Sequence, residues 1–315
     1  MMKKRLWSRW ILALAVVWPC MAAAHDRVRE KENFDFDWKF ILNADDRANA
    51  GMQVSEAGWQ DVQLPHDWSI SQNFDPKLSG SNGHLPGGIG WYRKTFRVDK
   101  KDKGRRIAVL FDGIYSRSDV YVNGQHLGFR PYGFCYQEYD LTPYLNYGAE
   151  NVLAVRVNNP LEHDSVARWY TGAGIYRHAW LVKTAEVHVA SYGTYVTTPV
   201  VTAERAEVRV RTSVANESKR IKTLSVRQQI TDGEGRTVVQ SGKQALQVAA
   251  GQTADTEHTL EIPVRSCGTR NILIFILCIP RYMMGANWSI LTKRYSACVR
   301  ASSLPTAVFC STGSP

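Results

Sequence analysis

The sequence predicts an all-β protein with two β-sandwiches, a jelly roll followed by a smaller immunoglobulin-like domain. Ile107–Phe111 is a continuous apolar run with the length of a strand buried on both faces. Asp119–Val122 runs directly into Asn123-Gly124, a pair that accepts the positive φ angles of a tight hairpin turn. No sustained helical periodicity is present, and short strands separated by Gly, Pro and Asn turns are typical of a sandwich.

The first 24 residues have the pattern of a signal peptide. Four basic residues precede the apolar run Ile11–Trp18, and Ala22–Ala24 supplies a small-residue cleavage site. A lipoprotein signal ending at Cys20 is the alternative, but Trp18-Pro19 lacks the small residues that such a site requires. We therefore expect a periplasmic or secreted protein that begins near His25 and has no membrane segment after cleavage.

The net charge of +10 comes from the two ends of the chain. Four of the 39 basic residues lie in the first 24 positions, six lie after position 264, and neither end contains Asp or Glu. Without these ten, 29 basic residues balance the 29 acidic residues, so the body is neutral. A neutral body has no electrostatic footprint for DNA or RNA, and we expect no nucleic-acid partner.

Cysteines are also concentrated at the ends. Cys20 lies in the signal segment, four cysteines follow position 264, and Cys135 is alone in the body. No disulfide framework can be read from this distribution, and no spacing resembles a zinc site. The sequence predicts neither a metal nor a cofactor.

Residues 25–184 carry the strand pattern of the first sandwich. Aromatic and charged residues alternate from Phe34 to Phe40, which predicts one half-buried strand. A loop rich in Gly, Pro, Ser and Asn precedes the predicted strand Trp91–Phe96, whose Trp91 and Tyr92 we expect in the core. Val152–Val157 and His178–Val182 are the last predicted strands of this domain.

Residues 185–264 differ in composition. Positions 187–262 contain neither Trp nor Phe and are rich in Val, Thr, Ser and Gln. Glu207–Arg211 and Leu224–Gln228 alternate cleanly, and Asp232–Gly235 has the composition of a hairpin turn. This pattern predicts a smaller antiparallel sandwich with polar faces toward water.

Several segments of the body together resemble one known family, glycoside hydrolase family 2, and particularly its β-galactosidase-type members. The resemblance extends over residues 31–264, in the family's order, so the combination is highly specific. The matching segments are Leu64–Trp68, Gly90–Phe96, Phe111–Gly113, Val120–Gly124, Asp140–Thr142, Asn151–Val155 and Arg168–Arg177.

This resemblance implies a galactose-binding-like jelly roll, then an immunoglobulin-like sandwich, then a catalytic (β/α)8 barrel. Retaining glycosidases need two carboxylic acids about 5 Å apart, and the family takes both glutamates from strand ends of the barrel. No alternation of strand and helix patterns follows Pro263, and no acidic residue occurs beyond it. We therefore expect no catalytic residue here and no catalytic activity from this chain alone.

The resemblance also implies two sugar-contacting loops, residues 84–90 and 164–170. The candidate substrate-binding residues on them are His84, Gly87, Asp164, Arg168 and Trp169. Gly87 stands near the place where some members carry a galactosyl-contacting Asn, and Arg168 near the place where they carry an acidic residue. Both departures weaken the transfer of a sugar contact to these positions.

Structural roles compete with sugar binding at several of these positions. Arg168 and Trp169 could instead form a buried brace beneath the Gly172–Gly174 turn. His66 and Asp67 are expected to be structural, with Asp67 accepting hydrogen bonds from local backbone N–H groups.

The tail, residues 265–315, departs from the family pattern. It has no acidic residue, four cysteines and an isolated apolar run, Ile272–Ile279. A divergent extension is one interpretation, and translation in a shifted reading frame is the sharper one. When codons are read from their third base, Phe309-Cys310 must give Leu, and the tail can spell three family motifs in order. We expect that such a tail cannot supply the last strands of the second sandwich, which would leave an unpaired sheet edge and a poorly folded, protease-sensitive domain.

The sequence therefore favours the N-terminal part of an exported glycosidase that acts on terminal β-glycosides, with a β-galactoside-type carbohydrate as its partner. A stand-alone carbohydrate-binding protein is the first alternative. A non-enzymatic interaction module is the second, since these sandwiches make subunit contacts in the family and a homo-oligomer is possible for its full-length members.

Overall fold

The protein is described by a computed structural model that covers residues 29–42, 44–160, 169–202, 205–231 and 236–263, with the backbone of four further strands. Over these residues the chain forms strands, loops and five short 3₁₀ turns, which confirms the all-β prediction. The signal segment, residues 1–24, and the predicted turn at 232–235 lie outside this part. No helix long and apolar enough to cross a membrane occurs among the described residues.

The first sandwich contains ten strands in two antiparallel sheets. They are β1 (Glu30–Asn33), β2 (Trp38–Leu42), β3 (Gln60–Val62), β4 (Gly88–Arg97), β5 (Arg106–Phe111), β6 (Ser118–Val122), β7 (Gln125–Arg130), β8 (Gln137–Asp140), β9 (Glu150–Asn159) and β10 (Ala179–Thr184). One sheet has the order β1-β10-β5-β8 and the other β3-β2-β4-β9-β6-β7. Long connections carry the chain back and forth between the two sheets, as in a jelly roll.

Aromatic side chains fill the space between these sheets. Trp38 and Tyr92 are fully buried with their rings edge to face, and Trp68 stacks on Phe40. The Trp38 Nε1–H donates to the Phe34 carbonyl oxygen at 2.7 Å, so its polar atom is satisfied inside the core. The predicted burial of Trp91 and Tyr92 is confirmed.

The alternating stretch from Phe34 to Phe40 is not one strand. β1 ends at Asn33 in the smaller sheet, β2 begins at Trp38 in the larger sheet, and Phe36 between them is exposed. Asp37 has a positive φ of 56°, which takes the backbone out of the extended conformation between β1 and β2. Asp35 holds the segment in which the chain passes from the smaller to the larger sheet, because its Oδ1 accepts the Ala179 N–H at 2.7 Å.

The predicted central hairpin is confirmed. β6 and β7 pair antiparallel, and Asn123 and Gly124 between them have φ angles of 50° and 82°. The Asn123 side chain also accepts the Val152 N–H and donates to the Tyr144 carbonyl oxygen, each at 2.8 Å. Asn123-Gly124 is therefore a structural turn, as expected.

The second sandwich packs a long three-stranded sheet against shorter strands. The long sheet has the order β11 (Val187–Val201), β12 (Arg205–Asn216), β17 (Gln252–Pro263). The opposing strands from the same region are β13 (Lys222–Arg227), β14 (Gln229–Thr231), β15 (Thr237–Gln240) and β16 (Gln244–Val248). Two apolar clusters lie between the layers, one around Val210 and Ile230 and the other around Val214 and Val226.

The expectation that the tail supplies no strands is wrong. β18 (Ile274–Cys278), β19 (Arg281–Met284), β20 (Asn287–Ile290) and β21 (Ser296–Val299) all come from it. β19 pairs with β13 and β18 pairs with β14, giving sheets of order β16-β13-β19-β20 and β15-β14-β18-β21. Any extended segment can satisfy an open strand's N–H and C=O groups, because the ladder bonds involve only the backbone. Composition therefore misled the prediction of an unpaired edge.

Candidate functional site

The candidate site lies at the end of the jelly roll, where three loops meet the segment 170–176. These loops contain His66, Asn82 and Tyr115. On one side, the His66 N–H donates to the Ile175 carbonyl oxygen at 2.8 Å and the Trp68 N–H to the Ala173 carbonyl oxygen at 3.1 Å. On the other side, Tyr115 and Gly174 exchange two backbone hydrogen bonds, of 2.9 and 2.8 Å. The segment is thus held like a short central strand.

Gly174 is required at the middle of this arrangement. It has a φ of 127°, and a Cβ on it would lie 2.4 Å from the Tyr92 hydroxyl oxygen and 2.6 Å from the His66 carbonyl oxygen. Both contacts are too short for a side chain. This explains the glycine-rich composition of the turn that the sequence places here.

Asp67 fastens two loops together. Its Oδ1 accepts the Ser69 N–H and the Ala173 N–H, both at 2.9 Å, and its Oδ2 accepts the Tyr170 hydroxyl at 2.6 Å. The local bond from Ser69 agrees with the expected Asx-type turn. Burial and the Asp67 carboxylate raise the pKa of the Tyr170 hydroxyl, so this hydroxyl stays protonated and donates at neutral pH.

His66 contacts Tyr92 in the core beneath the loop. Its Nδ1 lies 2.8 Å from the Tyr92 hydroxyl, which is itself fully buried. Burial lowers the pKa of His66 below its usual value, so the ring is neutral at neutral pH. Both His66 and Asp67 therefore support the loops, in line with the structural role expected for them.

His84 and Gly87 have roles in their own loop. The exposed His84 has a positive φ of 56°, its Nδ1 lies 2.7 Å from the Leu78 carbonyl oxygen, and its backbone bonds close the loop onto Asp75 and Ser79. A Cβ on Gly87 would lie only 2.2 Å from the Asn159 carbonyl oxygen. An Asn cannot be accommodated at position 87 unless the Asn159 backbone moves.

Of the remaining predicted site residues, the structure describes Trp169 alone; Asp164 and Arg168 lie outside the described residues. Trp169 is 59% exposed, so the alternative of a buried brace beneath the Gly172–Gly174 turn is wrong for it. Its ring packs at 6.3 Å, between centroids, against the ring of Phe134. Trp169 thus reaches the surface as part of a larger group of rings.

We call this group, formed by Tyr115, Tyr132, Phe134 and Trp169, the aromatic cluster. Phe134 is at its centre, with ring centroids 5.1 Å from Tyr115 and 5.7 Å from Tyr132. Tyr132 is 61% and Phe134 43% exposed. The first three of these residues were not among the predicted site residues, although the aromatic residues at 132, 134 and 136 alternate in a loop that contains Pro and Gly.

Asn82 is a further residue of the site that was not predicted from the sequence. Its Oδ1 lies 3.3 Å from the Thr171 N–H nitrogen and 3.1 Å from the Thr171 hydroxyl, both of which donate to it. Asn82 therefore ties the 75–84 loop to the segment 170–176, next to the Asp67–Tyr170 pair. Its position depends on a contact between residues 89 apart in the chain, which no local pattern announces.

The site as described is suited to binding. Among the described residues, no group of three or more His, Cys, Asp or Glu side chains could hold a metal ion. Asp67 accepts three hydrogen bonds within the fold, and the His66 Nδ1 is paired with the Tyr92 hydroxyl. What remains available to a ligand is the open surface of the aromatic cluster and the polar groups of the neighbouring loops.

Comparison with known proteins agrees with the resemblance seen in the sequence. Residues 32–185 match the family model described as "Glycosyl hydrolases family 2, sugar binding domain". The beta-galactosidase BoGH2A of Bacteroides ovatus is 44% identical over 230 residues, which are 70% of this chain and 26% of that protein. A beta-glucuronidase of Formosa agariphila is 33% identical over 251 residues, 71% of this chain and 25% of that protein.

Solved structures share the fold of both sandwiches. A glycosyl hydrolase family 2 member from Bacteroides cellulosilyticus superposes with a TM-score of 0.72 at 35% identity and covers 82% of this chain and 35% of that one. A beta-glucuronidase of the same family gives a TM-score of 0.74 at 27% identity. The chain spans about a quarter of the length of the curated relatives it matches. The chain belongs to glycoside hydrolase family 2, and residues 32–185 form the sugar binding domain of that family.

Proposed function

We propose that this chain is the carbohydrate-contacting N-terminal part of an exported family 2 glycosidase that hydrolyses terminal β-glycosides, β-galactosides in particular. The observation that supports this most directly is the coincidence of the sugar binding domain match with a jelly roll that carries an exposed aromatic cluster at one end. The 44% identity to a beta-galactosidase favours β-galactosides over the β-glucuronides named for the more distant relative.

The 315-residue chain is proposed to have no hydrolytic activity of its own. A retaining glycosidase needs one carboxylic acid as nucleophile and another as acid/base catalyst, about 5 Å apart. Two buried or half-buried carboxylates of the first sandwich are engaged by the fold: Asp67 accepts three hydrogen bonds, and Asp35 accepts the Ala179 N–H and contacts His178 at 2.7 Å. Such carboxylates hold backbone in place and are unsuited to attack on a sugar.

An activity assay tests this part of the proposal. The purified chain is incubated with 4-nitrophenyl β-D-galactoside and 4-nitrophenyl β-D-glucuronide, and nitrophenolate release is followed by absorbance. We expect release at the rate of the buffer blank. Turnover of about 1 s⁻¹ or more, the lower end of ordinary enzyme rates, would contradict it.

Export is tested separately. Residues 1–24 have the basic and apolar regions and the small-residue cleavage site of a signal peptide. Expressed in a Gram-negative host, the chain is expected in the periplasmic fraction with a mature N-terminus near His25. Intact-mass measurement of the fractionated protein decides this, and an uncleaved cytoplasmic product would count against export.

A second candidate function is a stand-alone carbohydrate-binding protein, and the exposed rings of the aromatic cluster favour it. The nucleotide sequence separates the two. If the shifted frame of the tail is open past residue 315 and encodes a barrel, the chain is part of a longer glycosidase. If that frame contains a stop or does not spell the family motifs, a divergent extension and a stand-alone protein are favoured.

A further inference from the structure

The aromatic cluster has the properties of a ligand surface. Three of its four rings carry a polar atom at the edge: those of Tyr115, Tyr132 and Trp169. Aromatic faces pack on apolar groups while their polar edges bond to water or hydroxyls. Sugar rings present that combination, with C–H groups on one face and hydroxyls around the rim.

The backbone beneath the rings holds them in place. A Cβ on Gly133 would lie 2.4 Å from the Tyr115 ring, so the 131–136 loop is packed directly onto Tyr115. The Tyr176 hydroxyl donates to the Gly133 carbonyl oxygen at 3.0 Å, and Tyr115 is itself paired with Gly174. A surface that is ordered before binding loses little conformational entropy when a ligand arrives.

The mutual orientation of the rings selects the shape of the ligand. The interplanar angles are 50° between Tyr115 and Phe134, 70° between Tyr132 and Phe134, and 52° between Phe134 and Trp169. The Tyr132–Phe134 pair is edge to face and the other two pairs are tilted, so the four rings together do not form a plane. A twisted, stepped set of faces suits successive sugars of a single flexible chain and does not suit the flat surface of a crystalline polysaccharide.

We propose that the aromatic cluster binds a single β-linked oligosaccharide chain through two or more successive sugar rings. The centroids of Tyr132, Phe134 and Trp169 follow one another at 5.7 and 6.3 Å, a spacing comparable to that of consecutive sugars in such a chain. Tyr170 follows Trp169 in the chain and Asn82 bonds to Thr171, so polar side chains lie next to the Trp169 end of the cluster. This inference rests on the proposed function, since it gives the carbohydrate partner a chain length and a contact surface.

Calorimetric titration of the full chain tests the proposal. The probes are β-1,4-galactotetraose and cellotetraose, each compared with its methyl β-monosaccharide. We expect at least one tetraose to bind about tenfold more tightly than its monosaccharide, or more. The Phe134→Ala variant is expected to lose about tenfold in tetraose affinity, because Phe134 contacts all three other rings.

Tyr195→Ala is the matched control. Tyr195 is as exposed as Trp169, at 59%, but it lies on β11 of the second sandwich. Its replacement should leave tetraose affinity within about twofold of the wild type. If Phe134→Ala fails to fold by circular dichroism, Tyr132→Ala replaces it, since Tyr132 is largely exposed and its removal leaves the loop backbone intact.

Three results would overturn the proposal: no binding of either tetraose, equal affinity for tetraose and monosaccharide, or wild-type affinity in the cluster variant. Self-association that Phe134→Ala abolishes, without tetraose binding, would identify the cluster as a protein contact and would also overturn it. Hydrolysis of nitrophenyl glycosides does not enter this measurement. Failure of the chain-binding inference and failure of the proposed function can therefore be told apart.

Discussion

At the scale of single residues, Asp67 shows how a short motif is used over a long distance. One of its three hydrogen bonds comes from Ser69, two positions away, and was expected from the sequence. The other two come from Tyr170 and Ala173, more than 100 positions away. Sequence reasoning finds the first because an Asx turn is local, and misses the others because only folding brings those donors within reach.

Replacement of Asp67 should destabilise the first sandwich. Asp67→Ala removes the acceptor for two backbone N–H groups and one hydroxyl, and an intramolecular hydrogen bond contributes a net of about 1 kcal/mol to stability. We expect the free energy of unfolding of this domain to fall by about 3 kcal/mol, measured by urea denaturation.

Tyr170→Phe is the control for that change. It removes one of the three bonds and leaves the ring in place, so a loss of about 1 kcal/mol is expected. Equal losses in the two variants would mean that the backbone bonds to Asp67 contribute nothing, which contradicts the role assigned to Asp67.

At the scale of strands, the second sandwich contains an unusual polar row. Thr194, Thr212 and Thr256 occupy one register across β11, β12 and β17, and all three are buried. The Gln228 Nε2–H donates to the Thr212 hydroxyl at 2.7 Å, whereas the hydroxyls of Thr194 and Thr256 have no hydrogen-bond partner in the described structure. The row separates the two apolar clusters of this domain.

The neighbours Thr256 and Thr212 should respond in opposite directions to the same substitution. Thr256→Val removes a buried hydroxyl that has no protein partner, and we expect stability to be unchanged or to rise by up to about 1 kcal/mol. Thr212→Val leaves the Gln228 amide without its partner and should cost about 1–3 kcal/mol. Thermal unfolding of the second sandwich measures both. A large loss in Thr256→Val would show that ordered water satisfies this hydroxyl.

The tail strands allow a second test at this scale. A chain that ends at Pro263 lacks β18 and β19, so β14 and β13 lose their antiparallel partners. We expect faster amide hydrogen exchange in β13 and β14 and a lower unfolding temperature for the second sandwich. The exchange rates of β4 and β9, which pair with each other in the first sandwich, serve as the internal control and should not change. Unchanged exchange in β13 and β14 would mean that the tail pairing contributes nothing.

At the scale of the whole molecule, a charged network joins the two sandwiches. Arg106 of β5 lies 2.7 Å from Glu138 of β8 and 2.8 Å from Glu217, which follows β12. His188 of β11 lies 4.0 Å from Glu217, and its Nδ1 is 3.0 Å from the Ala185 carbonyl oxygen. Arg29 of the first sandwich donates to the carbonyl oxygen of Val189, on β11 of the second sandwich. Such a cluster fixes the junction, since separating the domains would leave buried charges without partners.

The junction should be sensitive to acid. Burial, together with Arg106 and Arg29, lowers the pKa of His188 from 6.5 to about 4. The unfolded chain therefore binds a proton at His188 more readily than the folded chain. The contribution of His188 to the free energy of unfolding is fully present above pH 6.5 and is lost as the pH decreases from 6.5 toward 4. The loss due to His188 is at most about 3 kcal/mol.

His188→Gln isolates this contribution. The variant cannot titrate at that position, so its free energy of unfolding should change less between pH 7 and pH 4.5 than that of the wild type. Guanidinium denaturation at the two pH values measures the difference. Parallel pH profiles for the two proteins would contradict the assignment of this acid sensitivity to His188.

The sequence by itself determined the all-β class, the two sandwiches, the Asn123-Gly124 hairpin and the family, because these follow from local periodicity, turn chemistry and ordered motifs. Only the tertiary structure placed Tyr115, Tyr132 and Phe134 beside Trp169, broke the Phe34–Phe40 run at Asp37, and gave the tail strands partners in β13 and β14. The physical reason is the range of the interactions. Turns and strand periodicity act over a few residues, whereas loop contacts and strand pairing join distant segments, and pairing depends on backbone groups that every residue carries.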